Sequence, residues 1–224
     1  MNTRAPLLAI GAALLAASQV PALAEEPVRT PVAELQVKET GDTRTAIFAG
    51  GCFWGVEAVF SHVDGVKSAV AGYHGGSKAD ADYKKVSAGA TDHAEAVRIT
   101  YDPAKVRYDE LLRIYFAVVA DPTQLNRQGP DSGRHYRSAI VPTTPAQARV
   151  ARAYIAQLDK ADLWAKPIVT RIEAQKAFYP AETYHQDFAL KNPRHPYIMR
   201  WDAPKVRALQ ALFPQDYRAS FQRG

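Results

Sequence analysis

The sequence predicts an α/β (α+β) two-layer sandwich, a mixed central sheet flanked by helices. Short apolar or alternating stretches interleave along the chain with longer stretches whose apolar residues recur at helical spacing. No internal repeat or low-complexity tract follows Ala24. The roughly 200 residues beyond that point are enough for one domain with a well-buried core.

The opening residues, 1–24, read as an export signal rather than as part of the fold. Arg4 supplies a positive start, "APLLAIGAALLAA" an apolar run, and Ala22-Leu23-Ala24 the small-x-small pattern of a cleavage site. The run falls short of the roughly 20 residues that span a bilayer. An exported, periplasmic protein without membrane attachment after cleavage is therefore expected. Residues 25–43, with their two prolines and mixed charges, read as a linker or tail, leaving 44–224 as the single domain.

Within that domain, strands are expected at Thr45–Ala49, Lys67–Ala71, Ala94–Tyr101, Ser138–Val141 and Ile168–Glu173. In "AEAVRITY" the residues Val97, Ile99 and Tyr101 alternate with more polar ones, the signature of a strand with one buried face. A helix is expected from Cys52 onward, with Phe53, Val56, Val59, Phe60 and Val63 on one side. "YDELLRIYFAVV" reads as a second helix. A third opens with Thr144 as N-cap and Pro145 at its first position. Ala181–Leu190 and Lys205–Leu212 are shorter candidates.

Lysine and arginine number 28 against 23 aspartates and glutamates, a formal charge of +5. The basic residues are scattered rather than gathered into a stripe, which argues against a nucleic-acid partner. The six histidines lack the close pairing of a zinc site, so no metal and no cofactor are expected. A monomer is expected.

The chain has one cysteine, Cys52, in the stretch "AGGCFWGVEA". Exported proteins of this size commonly pair their cysteines, so an unpaired one points to a reactive thiol or an intermolecular link. "TAIFAGG" is a strand ending in two glycines, and "CFWGVEAVF" is the helix after it, which places the thiol at a helix N-terminus. There the free N–H groups and the helix dipole are expected to lower its pKa. Phe53 and Trp54 are adjacent in sequence, so both cannot face the core, and at least one is expected to line a pocket beside the sulfur.

These residues carry a resemblance. "GGCFWGVEAVF" is similar to the signature of the peptide methionine sulfoxide reductase family, A type. Blocks at "GVKSAVAGYHGG", "YKKV", "HAEAVRITYDP", "DPTQLNRQGPDSGRHYRSAI" and "FYPAETYHQDFALKNP" resemble the family in its own order. The resemblance implies a sandwich with a ferredoxin-like core and a reductase acting on methionine S-sulfoxide, free or in oxidised proteins. It implies Cys52 as nucleophile, Glu95 as proton donor, and Tyr83 and Tyr136 as hydroxyls that hold the sulfoxide oxygen. Phe53 and Trp54 match the cup for the substrate methyl group, and Asp131 a supporting position. Tyr184 and His185 are expected to border the pocket.

The chain also departs from the family. Many members carry further cysteines near the C-terminus that resolve the sulfenic acid, whereas "NPRHPYIMRWDAPKVRALQALF" has none. An external thiol, from a thioredoxin- or glutaredoxin-like protein or a small molecule, is then expected to complete the cycle. Asp92 stands where a glycine is usual, and the proline usual before Tyr83 is missing. Two other readings fit the residue types: a cysteine peptidase or acyltransferase using His185, and a noncatalytic binding protein with an aromatic pocket.

Overall fold

The computed structural model describes residues 26–224. The expected export signal and its cleavage point lie outside the described residues. In chain order the elements are β1 (Arg44–Gly50), α1 (Phe53–Ser61), β2 (Val66–His74), α2 (Tyr83–Ser87), β3 (Ala94–Tyr101) and α3 (Tyr108–Ile114), which runs into a π-helical turn at Tyr115–Val119. A small hairpin of β4 (Arg127–Gln128) and β5 (Asp131–Ser132) follows, then β6 (Ser138–Val141), α4 (Pro145–Ala161), β7 (Arg171–Ile172) and β8 (Phe178–Pro180). The chain closes with α5 (Phe188–Lys191) and a second π-helical turn, Ile198–Asp202, that leads directly into α6 (Ala203–Leu212).

Six strands form one sheet in the order β7-β6-β1-β3-β2-β8. The central four pair antiparallel, with β3 inserted between β1 and β2. That is the split βαβ of a ferredoxin-like core. β7 joins parallel to β6, and β8 antiparallel to β2, so the sheet is mixed.

The two-residue period of the strands decides which side chains meet the helices. Ala46 and Phe48 of β1, Ala69, Ala71 and Tyr73 of β2, and Val97, Ile99 and Tyr101 of β3 share one core with α1, α3 and α4. The other face is thin, with Ile47, Ala49, Ala94, Ala96, Ala139 and Val141 packed beside Phe178. α4 begins as its sequence predicts: the Thr144 hydroxyl accepts from the Gln147 N–H, and Pro145 occupies the first turn.

Three expectations are corrected. Residues 26–43 form no helix and, up to Thr43, no strand, but they are not a free linker. They lie as a strap over α3 and α4, burying Thr30 and Ala33. Val28 N–H donates to Ala117 O, Arg113 Nε to Thr30 O, Tyr154 Oη to Pro31 O and Gln157 Nε2 to Val32 O. Of the strand expected at Ile168–Glu173, only Arg171–Ile172 pairs, because β7 sits at the sheet edge beside β6. Of the helix expected at Ala181–Leu190, only Phe188–Lys191 is helical. Gln186 and Glu182 spend their side chains on Ala71 and on Tyr73 and Tyr83, and Asp187 is left-handed at φ 53°.

Candidate active site

Cys52 occupies the N-cap of α1, directly after β1. The turn between them needs Gly51, whose φ is +89° and where an added Cβ would meet Gln128 Cβ at 2.5 Å. Gln128 is fixed in turn by two bonds to the backbone of Asp121. From beneath, Tyr115 of the first π-helical turn donates its hydroxyl to Ala49 O at 2.7 Å. The cysteine is thus presented by a backbone corner braced on two sides; the residue as a whole is partly exposed, while its thiol is enclosed.

Glu95 shares its strand face with Val97, Ile99 and Tyr101, so the alternation of β3 turns a carboxyl toward the helices. It is 1% exposed. Its Oε2 accepts from the Phe53 N–H at 3.0 Å, joining the acid to the residue after the thiol. Burial pushes its pKa up to about 8, with the Phe53 N–H opposing and the Asp131 charge adding to the rise. Glu95 therefore carries a proton at neutral pH.

Phe53 and Trp54 divide as adjacent helical residues must. Phe53 is 1% exposed and packs on Tyr73 and His185, with ring centres 5.9 and 5.0 Å away. Trp54 is half-buried, stacks flat on Phe188 at 3.7 Å and meets the edge of Tyr197. Its Nε1–H donates to His185 Nδ1 at 3.1 Å. His185 is buried at the centre of the aromatic group, 4.3 Å from the Tyr83 ring and 4.2 Å from that of Tyr184. Tyr184 itself is exposed on the outer side.

Tyr83 opens α2, and Glu182 fixes it by accepting from its N–H. Desolvation, with the charges of Glu95 and Cys52, pushes the Tyr83 phenol up to about 12. Tyr136 lies in the 3₁₀ turn Arg134–Tyr136, and desolvation followed by the Glu95, Asp131 and Cys52 charges raises its pKa as well. Both phenols stay protonated and remain donors. Asp131 of β5 accepts from the Tyr197 hydroxyl. The structure thus brings Cys52, Glu95, Tyr83, Tyr136 and Asp131 near enough for their charges to act on one another, and joins Phe53, Trp54, Tyr83 and Tyr184 through ring contacts to His185.

The thiol itself corrects an expectation. Burial, followed by the charges of Glu95 and Asp202, raises the Cys52 pKa well above its ordinary value, and only the Trp54 N–H works the other way. The helix N-terminus is real, but desolvation and the facing acids outweigh it.

Two of the residues that shape this site, Tyr197 and Asp202, were not singled out from sequence. They bracket the second π-helical turn. In an α-helix, positions five apart diverge by about 140°; the wider i→i+5 turn swings them toward one side. Asp202 presses on α1 at Gly55, where an added Cβ would meet its Oδ1 at 2.4 Å. A glycine inside a helical run was the available signal of such a close approach. Glu182 and Phe188 were also missed. Among the described residues, no group of three or more His, Cys, Asp or Glu could hold a metal ion, and no helix is long and apolar enough to cross a membrane.

A thiol held beside a carboxylic acid that keeps its proton, with phenols nearby, is an arrangement suited to a cysteine-dependent enzyme. Comparison with known proteins agrees. The family model described as peptide methionine sulfoxide reductase matches residues 44–216. The chain is 58% identical over 180 residues to the peptide methionine sulfoxide reductase MsrA 2 of Mesorhizobium japonicum, covering 80% of this chain and 92% of that protein. It is 54% identical over 177 residues to the MsrA 2 of Synechocystis sp., covering 79% and 83%. Among solved structures, reduced Mxr1 from Saccharomyces cerevisiae superimposes with a TM-score of 0.61 at 31% identity, covering 72% of this chain and 92% of that one. Methionine sulfoxide reductase A of Corynebacterium diphtheriae gives 0.59 at 32% identity, covering 76% and 84%. The chain belongs to the peptide methionine sulfoxide reductase family, A type.

Proposed function

We propose that the protein reduces the S-epimer of methionine sulfoxide, in oxidised proteins or free, with Cys52 as nucleophile and Glu95 as proton donor. The observation that carries this reading is Glu95, a fully buried acid whose pKa near 8 keeps it protonated and which is hydrogen-bonded to the residue next to the thiol. A sulfoxide sulfur is a poor electrophile until its oxygen is protonated or hydrogen-bonded. Glu95 supplies the proton and the Tyr83 and Tyr136 hydroxyls supply hydrogen bonds, while the half-buried Trp54 face receives the methyl group. Phe53 backs that cup from inside the core rather than lining it openly.

The balanced step is Cys52–SH + R₂S=O giving Cys52–SOH + R₂S: the sulfur of the substrate is reduced and that of Cys52 is oxidised. With one cysteine in the chain, no internal thiol can resolve the sulfenic acid. An external thiol condenses with it, releasing water, and a second thiol then frees Cys52. A thioredoxin- or glutaredoxin-like protein or a small thiol fits this role. The reading of residues 1–24 as an export signal places the protein in the periplasm. The two-residue-type alternatives, peptidase and binding protein, have no comparable support.

Without added reductant, one equivalent of methionine per protein should form, leaving a dimedone-reactive Cys52 detectable by mass spectrometry. Cys52→Ser should form none. Repeated turnover without a thiol would refute the external-reductant cycle.

A further inference from the structure

We propose that Asp202 receives the thiol proton of Cys52, through one water held in the cleft between them, as the sulfoxide is attacked. This rests on the reductase reading above.

Asp202 is the residue whose position that reading does not explain. It is 2% exposed, and its Oδ2 has no hydrogen-bond partner. Buried carboxyl oxygens are normally satisfied, and an orphan costs folding free energy. An aspartate before a helix usually caps it, but at the N-cap of α6 Asp202 makes no side-chain capping bond. It is turned away, onto α1, where Gly55 leaves it room.

The cleft it faces is lined by Cys52, Asp131, Tyr197, Asp202 and Lys205, among others, and encloses about 10 Å³. That is the lower limit for a single water, and the lining residues carry a thiol, two carboxyls, a phenol and an ammonium group. A fixed anion beside a thiol hinders ionisation; the arrangement helps only if the anion takes the proton. Burial pushes the Asp202 pKa up to about 7, with Lys205 opposing and Asp131 adding. A group of that pKa is suited to accept a proton near neutrality. The groups around it are Cys52 from the start of α1, Asp131 from the hairpin, Tyr197 from the π-helical turn and Lys205 from α6, whose Nζ also donates to Val119 O, with His62 and Arg207 lining the cavity on its other side.

The protons balance. The S–H bond of Cys52 breaks and an O–H bond forms on Asp202, while the Glu95 proton goes to the sulfoxide oxygen and remains in the sulfenic acid. The first external thiol leaves as a mixed disulfide with Cys52, and its proton departs in water. When the second thiol displaces Cys52, Asp202 returns its proton to the sulfur, and the proton of that thiol restores Glu95. Asp202 thus acts through the water and is a positioning residue rather than one that touches substrate.

The test uses Asp202→Asn in the full chain, an isosteric change that removes a buried charge. Two rates are measured against pH: alkylation of Cys52 by iodoacetamide, and single-turnover reduction of a peptide methionine sulfoxide. The proposal expects them to move oppositely at pH 7. Alkylation should quicken, because the facing charge is gone, while reduction should slow at least ten-fold. Faster alkylation with unchanged or faster reduction would make Asp202 only a static charge, and loss of both would make it structural; either overturns the proposal. A measurement on the unaltered protein stands independently of the variant: its single-turnover rate should fall as pH drops through about 7, and absence of that limb also overturns it. If the unaltered protein forms no methionine at all, the reductase reading has failed instead.

Discussion

Glu95 shows how one position acquires its chemistry from the fold. Its strand parity sends it into the core, burial raises its pKa to about 8, and the Phe53 N–H keeps it directed at the start of α1. Its acid form is present below that value and is lost as pH rises through it, so activity should decline above pH 8. Glu95→Gln keeps the shape but has no proton to give. Turnover should fall by about 10²- to 10⁴-fold, and the decline above pH 8 should vanish, as steady-state kinetics across pH 6–10 would show. A Gln variant with ordinary activity would remove Glu95 from its role. Glu95 was legible only through the resemblance of "HAEAVRITYDP", although its parity with Val97, Ile99 and Tyr101 is what buries it, and the position of Cys52 was legible in the glycine pair before a helical run. The pKa of Cys52 was not. Burial raises it, together with the acids Glu95, Asp202 and Asp131 from distant segments, and only the folded chain sets them against the helix dipole.

Among the elements, those fixed by local pattern follow the sequence and those fixed by contact do not. β3, β6 and the start of α4 match their expected bounds because alternation and capping chemistry are written in adjacent residues. Both π-helical turns were invisible, since nothing local distinguishes "YFAVV" or "IMRWD" from α-helix; the first packs on β1 and α1 and the second on α1. The strap was read as a linker because its bonds to Arg113, Tyr154 and Gln157 lie more than 80 residues away. Tyr154 is 1% exposed and donates to Pro31 O at 2.8 Å. Tyr154→Phe should therefore cost about 1 kcal/mol, measured as a lower urea midpoint, with kcat/KM unchanged. An unaltered midpoint would mean that the strap is not held as described.

At the scale of the whole molecule, the same acids tie stability to pH. Burial raises Glu57 to about 7, Glu95 to about 8 and Asp202 to about 7. Each binds its proton more tightly in the folded chain than in the unfolded one. Between about pH 4.5 and 8 the folded state holds more protons, so stability falls as pH rises. Glu173 has the opposite sign. Burial would raise it, but His74 and Arg137 hold it at about 2; its contribution is present above the ordinary glutamate range and is lost as pH falls toward 2. His135 and His185, lowered by burial, share the sign of Glu173 as pH falls below about 6.5; the opposing trends place the maximum between about pH 5 and 7, and thermal unfolding from pH 3 to 9 should give the highest Tm there. Glu57→Gln separates structural from catalytic acids. Glu57 is fully buried in α1, where burial outweighs the backbone N–H groups of Asp187, Ala71 and Phe188 that favour its ionised form. A neutral amide in its place should flatten the decline in Tm toward pH 8 while leaving the Glu95-dependent limb of activity in place. A Tm that peaks above pH 7 in the unaltered protein would show that these carboxyls do not govern its stability.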